Sequence, residues 1–343
     1  MQTRTWTAAL AALAGVVVPL APAAAATPPD VSDRTLTYIA NSGADTVSVG
    51  DTGTLTIIDT IDVGDGPRGV AVSPNGKRVY VANHRSNDVS VINTASGSVT
   101  ATVRVGRGAQ DVAVSPDNKS VYVTNTGSDS VSVISTRTKH VIGTVPVGDA
   151  PHGVAFSPDG EHVFVTNTGS DTVSVIHTRS KKVTGTLRVG DSPKGVAVNP
   201  NHGRHVYVTN HGSNSVSLIH TVRQKVTATI PVGRRPLGVV SPHNSWHVYV
   251  TNAGSDTVSA IDTRTKIATA SIPVGDTPVG VAATPDGTHL CVTNAGSNTV
   301  SVINTGSNTV IATITDPGFD RPTGVAIGTI PAPHSHGRPG NGK

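Results

Sequence analysis

Four polar residues recur at one spacing: Arg68, Gln110, His152 and Lys194 stand 42 residues apart. The series continues through Leu237, Val279 and Thr323. Each precedes a recurrent Gly-Val-Ala phrase whose flanks stay nearly constant while this one position varies. A guanidinium, an amide, an imidazole and an ammonium brought to one place would bind an anion. The apolar members of the series would suit an amphiphilic ligand. His152 with Lys194 could also serve as a general base and acid. Ordinary solvated residues around a water-filled channel are the plain alternative.

Other side chains bear on that choice. His84, Arg85, Arg107, His211, Arg234 and Arg235 fall at equivalent loop positions and would widen a basic patch. Asp65, Asp149, Asp191 and Asp276 lie beside them and dilute its field. His162, His205, His247 and His289 open four successive repeats and suggest zinc. Equivalent positions on packed sheets sit about 10 Å apart, whereas zinc needs nitrogens about 2.0–2.1 Å away in one tetrahedron. No metal site is therefore expected.

Catalytic constellations are scarce. One cysteine, Cys291, excludes a Cys-x-x-Cys-His haem attachment. The variable column holds no carboxylate for a metal-dependent lactonase type. The acidic residues fall in repeated turns rather than as a facing pair. No catalytic residue and no cofactor is assigned, and a binding role outweighs an enzymatic one. Aromatic residues make up 3% of the chain. That weakens a large hot-spot interface and a stacking platform for single strands. Contact with a polyanion would rest on phosphate charge and fall steeply with salt.

The elements that must position these residues are read from the repeat. Tyr-Val-Thr-Asn or a close variant ends at Asn41, Asn83, Asn125, Asn167, Asn210, Asn252 and Asn294, with gaps of 42, 42, 42, 43, 42 and 42 residues. A period near 40 with several short strands predicts an all-β, seven-bladed β-propeller. Residues 152–157, 162–167, 172–177 and 182–189 read as four antiparallel strands, A to D, with Gly, Pro, Asn and Asp between them. The chain enters at a B strand, Leu36–Asn41, and leaves at an A strand, Thr323–Ile327, so one blade is closed by both termini. Near the end of strand D a column reads Asp62, Arg104, Pro146, Arg188, Pro231 and Pro273, as an outer edge requires. D–A and B–C loops then share one face with the variable column. The seven asparagines read as side-chain caps of the B–C hairpins.

Val-Tyr-Val-Thr-Asn (121–125, 206–210, 248–252), Ser-Pro-Asp-Gly (157–160) and Val-Ser-Val-Ile (131–134, 173–176) resemble the YVTN-type propeller repeat. It occurs in archaeal surface-layer proteins and in exported YncE-type propellers of bacteria. The resemblance covers nearly all of the mature chain and implies an extracytoplasmic seven-bladed ring. YncE-type relatives are associated with single-stranded DNA, but no residue motif for that transfers to this chain.

Residues 1–26 read as a secretory signal: Arg4, an apolar run from Ala8 to Val18, and Ala24-Ala25-Ala26 as cleavage site. Residues 27–35 read as a leader, 36–330 as the propeller and 331–343 as a disordered tail. No later segment is long and apolar enough to span a membrane. Cys291 stands in a tyrosine column and reads as a small buried thiol. The expected protein is a secreted, extracytoplasmic monomer, free or associated with the cell envelope. It would present a loop face to an anionic partner, a cell-envelope polymer or nucleic acid. A channel-mouth lyase or hydrolase is the alternative.

Overall fold

The computed structural model describes residues 33–331 apart from His202 and Asn244. The expected signal (1–26), most of the leader and nearly all of the tail lie outside the described residues. Among the described residues, twenty-eight strands form seven four-stranded antiparallel sheets. Blade 1 joins Pro322–Ile330 (A) to Arg34–Asn41 (B), Thr46–Asp51 (C) and Thr56–Asp62 (D), so both ends of the propeller share one sheet. Their register runs from Arg34 opposite Ile330 to Asn41 opposite Pro322. Strand B opens at Arg34, so the last residues of the expected leader are already paired.

Valine and isoleucine alternation places the core between blades. Seven apolar clusters follow one another around the ring, each built from neighbouring sheets. Tyr38, Tyr80, Tyr122, Phe164, Tyr207 and Tyr249 fill one column of strand B, and Cys291 completes it. The outer-edge column is exposed throughout, from Asp62 to Pro273. Proline and charge there block stray pairing.

Each part of the repeated tetrapeptide has a separate bond to make. The asparagine Nδ2 reaches across the hairpin to side chains of strand C, rather than to the backbone of the turn. Asn167 donates to Thr172 Oγ1 at 3.0 Å and Ser174 Oγ at 2.9 Å, and the other six asparagines repeat the pattern. The turn itself is made by Asp45, Asn87, Asp129, Asp171, Asn214, Asp256 and Asn298, all at positive φ. Asn and Asp tolerate that region best among residues with a side chain. Their Oδ1 atoms accept the last backbone N–H of the following D–A loop, just before strand A, as in Ser192 N to Asp171 Oδ1 at 2.8 Å. The acidic turn residues are thus scaffold.

Candidate functional site

The variable column lies on the innermost strands, A, which surround the central channel. Those of blades 2 to 5 are Pro67–Val72, Ala109–Val114, Pro151–Phe156 and Pro193–Val198. Neighbouring A strands approach closely: a Cβ added to Gly153 would fall 2.5 Å from the Lys194 carbonyl oxygen. The threonine of the tetrapeptide holds that approach. Thr124 Oγ1 donates to His152 O at 2.6 Å, Thr166 Oγ1 to Lys194 O at 2.6 Å, and Thr209 Oγ1 to Leu237 O at 2.7 Å. The conserved-looking phrase in one blade thereby fixes the backbone of the variable residue in the next.

The residue after the asparagine adds a second tie between blades. Thr126 and Thr168 donate to Pro151 O and Pro193 O at 2.8 and 2.7 Å. In the same column the His84 and His211 rings lie by the Ala109 and Pro236 carbonyls, which favour their protonated forms against the burial that lowers them. Their Nδ1 atoms are buried and have no partner among the described residues. Ala253 and Ala295 occupy the column in blades 6 and 7, which also carry Leu237 and Val279. The mouth is therefore polar over blades 2 to 5 and apolar over the next two.

The four sequence-singled residues meet electrostatically. Arg68 Nη1 donates to Gln110 Oε1 at 3.2 Å, and Gln110 is buried. His152 is held well below the usual imidazole range, first by burial, then by Lys194, Arg68, His211 and His84. Burial and Arg68 lower Lys194. Burial, Arg85 and Arg321 lower Arg68, which stays charged. The accessible surface of His152 faces the confined channel rather than bulk water, so burial dominates its titration. Among the described residues no ion pair involves Arg68 or Lys194. Arg85 is different: its Nη2 pairs with Asp45 Oδ1 at 2.6 Å and leaves less charge for a ligand. The four histidines opening strands B do not gather at a metal site. His162 and His205 pack edge-on against His177 and His220 of their own blades, at 5.8 and 5.6 Å between ring centroids.

Asp111 belongs to this neighbourhood, although it lies outside the variable column. It interrupts the glycine column formed by Gly69, Gly153, Gly195, Gly238, Gly280 and Gly324. That break was the available signal. Its Oδ1 accepts Val112 N at 2.9 Å, and its Oδ2 accepts Val154 N of the next blade at 3.1 Å. The bare Gly69 beside it makes the room, since a Cβ there would lie 2.7 Å from Asp111 Oδ1. Burial outweighs both hydrogen bonds and pushes its carboxyl up to about 6.

The opposite end of the channel has another character. A space of about 680 Å³ opens there, lined by Ala71, Val72, Val240, Val281, Ala283 and Ile327 among others. His243 is on its lining, but no lysine or arginine is. A cluster of unpaired cations around an imidazole thus distinguishes the D–A and B–C face.

Comparison with solved structures finds the same architecture in distant proteins. One is a protein of unknown function from Desulfotomaculum acetoxidans (TM-score 0.76, 18% identity, 85% of this chain and 98% of that one). Another is the hydrazine synthase of Kuenenia stuttgartiensis (TM-score 0.66, 22% identity, 73% and 86%). A third is the dihydro-haem d1 dehydrogenase NirN in complex with DHE (TM-score 0.65, 17% identity, 90% and 78%). At these identities the likeness is one of fold alone. No curated protein matches the sequence. The YncE-like β-propeller family model matches residues 2–121 and 102–202, more than half of the chain. With seven four-stranded blades and closure by both termini, the chain belongs to the YncE-like β-propeller family.

Proposed function

We propose that this propeller is an exported, non-catalytic binding protein whose channel mouth holds an anionic partner, a cell-envelope polymer or nucleic acid. The observation that carries this reading is the convergence of Arg68 and Lys194, neither in an ion pair among the described residues, on His152. Like charges gathered without a counterion repel one another, and an anion relieves that repulsion. Gln110 orients Arg68, and the His84 and His211 rings wall the same arc. Leu237, Val279, Ala253 and Ala295 give the ligand an apolar side on which to lie. The export signal of residues 1–26 supports a place outside the cytoplasm.

One observation favours the second reading, a channel-mouth lyase or hydrolase: a half-buried, perturbed His152 next to Lys194. The direction of the shift weighs against it. A base is most effective with a pKa near the working pH, and burial, reinforced by the surrounding cations, drives His152 well below it. The test is binding of a polyanion, such as inorganic polyphosphate, to wild type and to Arg68→Ala/Lys194→Ala. A loss of roughly tenfold or more, with a log–log salt slope reduced by about 2, is expected. Unchanged binding removes the mouth as the site.

A further inference from the structure

A second site lies on the other face, at the seam where blade 7 meets blade 1. The repeat supplies its own controls. In the 6/7 seam Tyr249 of strand B crosses to the C–D turn of the next blade, and its Oη donates to Thr305 O at 3.2 Å and Asn308 Oδ1 at 2.9 Å. In the 3/4 seam Tyr122 Oη points at the equivalent Thr178 carbonyl, 3.5 Å away. In the 7/1 seam the tyrosine place is held by Cys291 and the Asn308 place by Leu55. The C–D turn residues of the other blades are Gly97, Lys139, Lys181, Gln224, Lys266 and Asn308, so Leu55 is the apolar exception. It keeps the left-handed backbone, φ 56°, that asparagine or glycine would adopt at less cost.

These two exceptions fall on opposite walls of one cavity of about 450 Å³, within the range of small-molecule sites. Its lining joins the apolar Leu55, Val302 and Ile311 and the Cys291 thiol to the Thr52 turn, Asp286 and His289. The 3/4 and 4/5 seams, which keep Tyr122 and Phe164, hold corresponding grooves of about 510 and 260 Å³, so the 7/1 groove is set apart by the Cys291 thiol and Leu55 on its lining rather than by its size. Ile311 is 51% exposed at the rim, where Thr184, Thr227 and Thr269 of other blades bond back to their own strand C. The thiol packs with Ile39, Val300, Val302 and Phe319, its hydrogen-bond contact is the Thr37 hydroxyl 3.9 Å away, and burial pushes it up to about 11, so it is a surface to pack on and not a nucleophile.

We propose that this seam binds a phenol-class small molecule, its ring in the place that tyrosine fills elsewhere and its hydroxyl donating to the Thr52 carbonyl. The occupant follows from the chain's own tyrosines, which show both the ring position and the acceptor. Leu55 and Ile311 supply apolar contact for ring substituents.

The probe is p-cresol, titrated by calorimetry into the purified mature protein, with 4-methylcyclohexanol and 4-methylanisole as controls for planarity and for the donor. Saturable p-cresol binding, weaker by about tenfold for either control, is expected. Cys291→Tyr should melt at or above wild type and lose p-cresol binding. Leu55→Asn, which copies the blade 7 turn and relaxes the backbone, should keep the fold and weaken p-cresol severalfold. No p-cresol binding to wild type at millimolar concentration overturns the proposal. So does binding that neither variant alters.

Discussion

Replacing Asp111 by glycine restores the repeat and removes the one carboxylate on the inner ring of glycines. Its folded-state pKa is about 6, against 3.8 for a free carboxyl. Between those values the folded protein holds a proton that the unfolded chain has released. Wild-type stability therefore falls as pH rises from about 3.8 to 6 and stays reduced above that. At about 1.36 kcal/mol per pH unit the full penalty is about 3 kcal/mol. Asp111 keeps some accessible surface, so about 2–3 kcal/mol is expected. Asp111→Gly escapes this term. It loses two hydrogen bonds and adds freedom to the unfolded chain, but those changes do not depend on pH. The stability of the variant relative to wild type should therefore improve by about 2–3 kcal/mol between pH 4 and pH 7.5, or roughly 4–8 °C in Tm. Urea and thermal melts of both proteins at one-unit pH steps provide the measurement, because every other titrating group cancels in the difference. Parallel curves would refute the assignment of a raised Asp111 and with it the picture of a desolvated inner ring.

Two further outcomes test the scaffold. Deleting residues 321–343 removes strand A of blade 1 and its pairing with Arg34–Asn41. Differential scanning calorimetry should show a fall of roughly 10 °C or more in Tm; equal melting would contradict closure by both termini. Asn167→Ala strands the Thr172 and Ser174 hydroxyls that the fully buried amide now ties together. A loss of about 2 kcal/mol in urea unfolding is expected, with polyanion binding retained by the folded fraction.

Spacing made most of the architecture legible. A 42-residue beat identifies equivalent positions, and equivalence on a ring implies blades, closure and an outer edge such as Asp62 to Pro273. The convergence of Arg68, His152 and Lys194 was legible for the same reason. What equivalence does not reveal is contact between unlike positions of neighbouring blades. The Thr166 bond to the Lys194 carbonyl, the His84 and His211 ties, and the Cys291–Leu55 seam all join different columns of different repeats. The asparagines were read as local caps because Asn favours turns; their actual partners lie five and seven residues on, across the hairpin. Asp111 was obscured by the near-constancy of its own column. A single carboxylate among glycines reads as noise until the A strands are seen to pack too closely for any side chain without a purpose-made gap.

The central claim is that an anion occupies the cationic mouth, and His152 reports on it directly. Its imidazole can be followed by NMR titration in wild type, in Lys194→Ala, and in wild type saturated with polyphosphate. The account predicts a free-protein pKa well below the ordinary imidazole value, raised by Lys194→Ala and raised further by the bound polyanion. A His152 that titrates near its ordinary value, or does not respond to saturating polyanion, would contradict it.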